Sequence, residues 1–234
     1  MPKKLLLLVN TNLKKVLKMF VDIIFPVQCC LCRIDGKYLC TDCEPKLSKG
    51  AQSVTLDDKS FAKYNYQDQK VKNIIFKIKY NHHPCLGQEM GKYCVDFIKN
   101  NTPASLGKFI FVPIPISKKR LEERGYNQAH HISIGIDKEN TFQILRRDKN
   151  TLKLKDSDSI EFRKNQIQNS MSVDNFELEI YLQKNNLALN NIKNIKIILV
   201  DDITTSGATF YEARRALVEY GFAKENIYSF ALAH

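Results

Sequence analysis

A chain of 234 residues that is 44% hydrophobic can bury one sizeable core with a small module beside it, which excludes wholesale disorder. Lysine and arginine outnumber aspartate and glutamate by 36 to 25, a formal net charge of +11, so the surface attracts polyanions. Nucleic acid, phosphorylated metabolites and anionic membrane all stay open as partners, and a lysine-rich solvated surface accounts for the charge without any of them. No run approaches the roughly 18 apolar residues of a membrane span. The apolar stretch from Leu5 to Val9 is shorter than a signal-peptide core and no small-residue cleavage site follows it. A soluble, cytoplasmic protein is the expectation.

The first element, over residues 1–26, is an amphipathic helix. Leu13, Val16, Leu17, Phe20, Val21 and Ile24 recur at helical spacing, Lys14, Lys15 and Lys18 fall on the other side, and Pro26 stops it. Such a basic helix can lie on a membrane or on DNA; docking onto its own domain is the reading adopted. Residues 27–50 follow as a metal-binding module. Cys29 and Cys32 form one C-x2-C pair and Cys40 and Cys43 a second, with seven residues between the pairs. Two such knuckles deliver four thiolates to a tetrahedral Zn2+ and leave no site for a substrate water, so the ion would be structural. Disulfides would be the alternative outside the cell. Cys30 is the spare thiol, and Cys85 and Cys94 fall in a helical pattern as core or incidental thiols.

Residues 51–60 read as a linker, and a larger domain is expected over 61–234. Helical spacing recurs at Val71, Ile74, Ile75 and Ile78 and again at Met90, Tyr93, Cys94 and Phe97. FIFVPIP at 109–115 reads as a strand entering a proline-punctuated loop, and another helix is expected after Gly125. The Asn-rich piece at 185–194 reads as a loop. IKIILV at 195–200 is a continuous aliphatic run, the pattern of a strand buried on both faces of a parallel sheet. A helix from near Thr209 to a cap at Gly221 and a closing strand IYSFALA complete the chain. Strands alternating with helices predict an α/β fold with a parallel sheet flanked by helices.

The stretch IILVDDITTSGATFYEARRAL at 197–217 carries the densest chemistry. A buried strand ends at Asp201 and Asp202, and a loop of small hydroxyl residues with one glycine opens into a helix. Ligands of open α/β sheets sit at such carboxyl ends. Backbone N–H groups from Thr204 to Ala208 can converge on a phosphate, Gly207 permits close approach, and the helix adds its positive dipole end. Thr204, Thr205, Ser206 and Thr209 add hydroxyl donors. The two carboxylates can accept from vicinal ribose hydroxyls, directly or through a hydrated Mg2+. No G-K-[ST] follows, so this is not a Walker loop. It resembles the 5-phosphoribosyl-1-pyrophosphate (PRPP) motif of type I phosphoribosyltransferases.

Upstream, VPIPISKKRLEERGYNQAHHIS at 112–133 places Lys118, Lys119, Arg120 and Arg124 within seven residues. They read as contacts to an anion, either pyrophosphate or DNA phosphates, or as the solvated face of a charged helix that also carries Glu122 and Glu123. Tyr126, between arginine-glycine and asparagine, is either a stacking residue or a core tyrosine. The five histidines mark no metal site: His82-His83 and His130-His131 are adjacent pairs, and His234 is the last residue.

Together, the cysteine ribbon with its FP-x2-C-x2-C start, R-L-x-E-R-G-Y-N-Q-A at 120–129 and the PRPP-like loop resemble the signature of the ComF family. The likeness runs from about Phe25 to the C-terminus and includes Tyr66, the Lys79-Tyr80 pair and L-R-R-x3-T at 145–151. One departure is that Leu152, Lys153 and Leu154 follow Thr151 where the family has T-x2-Q-x2-L; Arg163-Lys164-Asn165 matches the later R-x2-N element only with altered spacing. The resemblance implies a type I phosphoribosyltransferase-like domain behind a zinc ribbon, in a cytoplasmic protein of natural transformation. By it, Asp201 and Asp202 hold the ribose, residues 204–209 the 5-phosphate and Mg2+ the PRPP. Single-stranded DNA and a competence helicase or other DNA-processing protein are the implied partners. The rival reading is a working phosphoribosyltransferase acting on a base, a nucleotide or a nucleic acid; no segment marks an acceptor pocket, and catalytic residues stay unassigned.

Overall fold

The computed structural model describes residues 26–49, 59–80, 83–103, 108–148 and 169–234. The N-terminal amphipathic helix, most of the linker, Thr151 and the Arg163-Lys164-Asn165 stretch lie outside the described residues. Two compact units emerge, one ending at Lys46 and one running from Leu47 to His234. Within the first, the Val27–Tyr38 segment folds back on itself through an isolated bridge between Gln28 and Asp35, and a single 3-10 turn spans Glu44–Lys46.

In the second unit the described elements run β1 (Ser60–Tyr64), α1 (Gln69–Tyr80), α2 (Pro84–Asn100), β2 (Ile110–Pro113), α3 (Lys118–Arg124), α4 (Gln128–Asp137), β3 (Leu145–Arg147), β4 (Met171–Val173), α5 (Asn175–Lys184), β5 (Ile197–Ile203), α6 (Ala208–Tyr220) and β6 (Ile227–Ala233). A four-stranded sheet has the order β1-β6-β5-β2, and every neighbouring pair is parallel. This is the sheet expected from the aliphatic run in β5, whose residues from Ile197 to Val200 are all at most 1% exposed. Pro113 is tolerated because β2 is an edge strand, where a missing N–H costs no ladder bond.

Helices cover both faces. On one, Phe97 of α2 meets Phe61 of β1 and Phe230 of β6, with ring centroids 6.1 and 6.4 Å away. There α2 and α4 approach so closely that a Cβ on Gly135 would lie 2.0 Å from the Gln88 carbonyl oxygen, and one on Gly91 2.2 Å from that of Ile132; only glycine fits either site. On the other face Phe210, Ala213 and Leu217 of α6 join Leu178 and Tyr181 of α5 and Leu199 of β5 in one core, each large side chain contributing about 2 kcal/mol by its burial.

Three local features go beyond the sequence reading or depart from it. The cations at 118–124 lie on a short helix, because Ser117 caps it by accepting from the Arg120 N–H and Gly125 ends it at φ 77°. Within the Asn-rich piece, residues Leu189–Asn194 form a 3-10 helix, with the Asn191 side chain accepting from the Ala188 N–H. Leu145–Arg147 pairs with Met171–Val173 as a separate antiparallel two-stranded sheet. No described helix is long and apolar enough to cross a membrane.

Candidate metal centre and candidate phosphate site

Backbone turns gather the four expected cysteines of the first unit. Arg33 at φ 64° and Gly36 at φ 103° reverse the chain, with the Cys29 N–H donating to the Ile34 carbonyl and the Cys30 N–H to the Tyr38 carbonyl. The second knuckle closes when the Cys43 and Glu44 N–H groups both donate to the Cys40 carbonyl. As a result the Cys29, Cys32, Cys40 and Cys43 sulfurs all lie within 4.8 Å of one another, Cys32 and Cys40 at 3.6 Å. Tetrahedral Zn2+ with Zn–S near 2.3 Å sets its sulfurs about 3.8 Å apart, so the group fits and can hold a metal such as zinc. The Cys40 N–H also donates to Cys29 Sγ at 3.4 Å, a bond that orients and stabilises a thiolate.

The electrostatics of the cluster favour one thiolate and oppose more. Burial raises the Cys29 thiol, but backbone N–H groups at Cys32, Cys40 and Leu31 overcome it and bring its pKa to about 6. Burial and the neighbouring thiols push Cys43 up to about 12. A divalent cation among them supplies the opposing charge. Cys30 stands outside the group, as expected.

In the second unit Asp201 and Asp202 lie near the C-terminal end of β5, one of the two inner strands of the sheet. The strand continues through them to Ile203, and the Ile203 N–H donates to Asp202 Oδ1 at 3.0 Å while the Asp202 N–H donates to Asp201 Oδ1 at 2.8 Å. Asp202 is buried. Its compensation comes from α1: Lys79 Nζ lies 2.8 Å from Asp202 Oδ2, with side-chain exposures of 18% and 3%. Burial alone would raise the Asp202 pKa, but Lys79 beside it holds the carboxyl below the usual range. Asp201 goes the other way: burial and the charge of Asp202 push its carboxyl well above the ordinary value. The two carboxyls therefore differ: Lys79 favours the charged form of Asp202, while burial and Asp202 oppose the charged form of Asp201, an opposition that an added cation would reduce.

The loop that follows is built in part as expected. Gly207 sits at φ 70° and precedes α6 with no side-chain cap, so the first-turn N–H groups of Ala208, Thr209 and Phe210 face whatever occupies the loop. Thr204 differs: its N–H extends the sheet by donating to the Ala233 carbonyl at 3.1 Å, leaving that amide unavailable to a phosphate. Thr205 is exposed, Ser206 and Thr209 are half-buried and Ala208 is buried.

Around this junction the fold collects cations from separate segments. Arg124 acts on the charge state of both Asp202 and Lys79, and its Nη1 donates to Gln128 at 2.8 Å. Arg147 of β3 donates Nη1–H to the Pro115 carbonyl at 3.5 Å. Burial and the Arg120 charge lower its basicity, and Asp201 and Glu212 raise it. Lys118 and Lys119, at the exposed start of α3, are the remaining members of the expected set. Tyr126 is half-buried: its hydroxyl donates to the Ile78 carbonyl and its ring packs edge-on against His131 at 5.3 Å.

Three residues here escaped sequence reasoning as site residues. Lys79 and Arg147 had appeared only as family markers, although a lysine closing an otherwise apolar helix face was a usable signal. His234 had none, yet its Nε2 lies 3.1 Å from the Thr205 carbonyl and braces the loop. Glu212 is also buried at 2% exposure, and it serves as a tie: Oε1 accepts from the Ser170 and Met171 N–H groups at 2.8 and 3.1 Å, and Arg215 pairs with the same carboxylate, so β4 is fastened to α6.

No family model matches the chain. Its sequence is 29% identical over 195 residues to Competence protein ComFC of Bacillus subtilis (strain 168), covering 83% of this chain and 71% of that relative. The likeness first drawn from three motifs thus extends over most of the sequence, and the chain is ComFC-like.

Proposed function

We propose that this chain is a cytoplasmic competence protein that holds PRPP or a related phosphorylated ribose at the β5–α6 junction and handles single-stranded DNA. The carrying observation is that junction itself: adjacent acids at the end of an inner parallel strand, an αL glycine, and an uncapped helix start, with Lys79, Arg124 and Arg147 in electrostatic reach. Asp201 and Asp202 accept from the ribose 2- and 3-hydroxyls, and residues 205–209 hold the 5-phosphate through backbone N–H and hydroxyl groups. Lys118, Lys119, Arg120, Arg124 and Arg147 neutralise a diphosphate or DNA phosphates. Mg2+ supplies charge neutralisation of the diphosphate, and the Asp201–Asp202 pair offers the hard oxygen donors it takes. The four cysteines hold a structural Zn2+ that folds the first unit, and a DNA-processing partner such as a competence helicase is the proposed protein contact.

The test is calorimetric titration of Mg2+-PRPP into wild type and into Asp201→Asn/Asp202→Asn, with single-stranded DNA anisotropy over a salt series on the same samples. Saturable PRPP binding lost in the variant, together with DNA binding whose logarithm falls steeply with log salt, is the expected result. Turnover of PRPP with pyrophosphate release and no DNA binding would select the phosphoribosyltransferase reading instead. Neither PRPP nor DNA binding would overturn the proposal.

A further inference from the structure

Among the exposed aromatic side chains of this unit are Phe176 on α5, Tyr211 on α6, and the adjacent pair Phe76 and Tyr80 on α1. Lys72, Phe76 and Tyr80 recur every fourth residue and so line one stripe of the helix. Phe76 is 56% and Tyr80 52% exposed, their ring centroids 4.9 Å apart with planes at 45°. The Arg124 guanidinium lies 5.2 Å over the Tyr80 ring. Along its twelve residues α1 carries Lys70, Lys72, Lys77 and Lys79 and no acid. Scattered exposed apolar side chains need no explanation; two touching rings on a helix without a negative charge, beside a guanidinium, form a defined chemical surface. Its inner edge is Lys79, the residue that reaches Asp202.

We propose that Phe76 and Tyr80 form a base-stacking step for single-stranded nucleic acid, with Lys72, Lys77 and Arg124 as its phosphate contacts, leading along α1 to the β5–α6 junction. This rests on the reading of the chain as a handler of single-stranded DNA and names the surface that would do it. Base faces stack on aromatic rings while lysines follow the backbone, and every base offers a π-face, so the contact is tolerant of sequence. A lipid surface would want a broader apolar face than two rings provide. An acidic peptide would satisfy the lysines and leave the rings without partners.

The chain contains no tryptophan, so Phe76→Trp places a single reporter on this surface. Full-length wild type, Phe76→Trp, Phe76→Ala and Tyr80→Ala are titrated with oligo-dT and with an abasic oligonucleotide of equal length and charge. Expected are quenching of the new tryptophan by oligo-dT alone, and roughly tenfold weaker oligo-dT binding for each alanine variant. The abasic strand should bind all four proteins alike, and the salt slope should be unchanged because no cation is removed. Both exposed positions tolerate alanine, which matching melting curves would verify. Equal binding of oligo-dT by wild type and the alanine variants, with no quenching, overturns the stacking step while leaving the DNA reading intact. A response to anionic lipid vesicles but not to oligo-dT overturns it in favour of a membrane surface. If wild type binds neither strand at low salt, the DNA reading fails and this inference fails with it.

Discussion

Removing the ammonium that faces Asp202 is the perturbation whose effect follows most directly from the geometry. Lys79→Met keeps the apolar stem and deletes the charge 2.8 Å from a carboxylate that is only 3% exposed. Breaking one side of a buried pair costs about 3–5 kcal/mol, and the 18% exposure of Lys79 argues for the lower end, about 3 kcal/mol. For a unit of this size that lowers Tm by roughly 10 °C. The sign with pH is fixed as well. Because Lys79 depresses the folded pKa of Asp202, the pair's contribution is complete above the unfolded value of about 3.9 and is lost as pH falls through the depressed folded value. In Lys79→Met burial instead raises the Asp202 pKa, so protonation relieves the variant, and its deficit relative to wild type is widest at neutral pH and closes on acidification. Urea unfolding of wild type, Lys79→Met, Asp202→Asn and the double variant between pH 4 and 7 measures both effects, with a coupling of about 2 kcal/mol expected in the cycle. A Lys79→Met variant within 1 kcal/mol of wild type at pH 7, with additive double-variant energies, would refute the reasoning.

Two further outcomes follow from the same electrostatics. Asp201→Asn should raise Tm by a few degrees at pH 7, since its carboxyl is held above its ordinary value by burial and by Asp202 and the cost of charging it disappears; the same change should weaken phosphoribose binding, an opposition that paired melting and titration experiments would detect. Purified wild type should contain close to one zinc per chain by mass spectrometry. Cys40→Ser should lose most of it, and chelation at acidic pH, where thiolates protonate, should be faster than at neutral pH. Metal content unchanged in the variant would remove Cys40 from the ligand set.

Much of the candidate site was legible before the fold because its chemistry is local. Two C-x2-C pairs need only short turns to converge, and the Asp201-Asp202 loop lies between a strand and a helix whose patterns are both strong, so strand, glycine and helix start follow each other within a dozen residues. The identity of the cations was legible only as composition. Lys118 and Arg124 belong to one run, but which of them approaches the acids depends on the Ser117 cap and the Gly125 turn that make the run a helix. Tyr126 stayed open between stacking and packing for a similar reason: its hydroxyl partner, the Ile78 carbonyl, lies 48 positions earlier in the chain.

What the sequence determined by itself was every property carried by adjacency and period: the aliphatic strand that centres a parallel sheet, the metal knuckles, the acid pair and its glycine. Tertiary structure decided the properties that depend on distant segments meeting. Asp202 has its counter-ion because α1 ends beside β5, and Thr204 loses its amide to the sheet because β6 runs parallel alongside. Phe76 and Tyr80 stay exposed because Val71, Ile74, Ile75 and Ile78 turn the opposite face of the same helix into the core. Periodicity can state that a helix has two faces, but which chemistry stands next to the outer one is set by long-range packing, which no local pattern encodes.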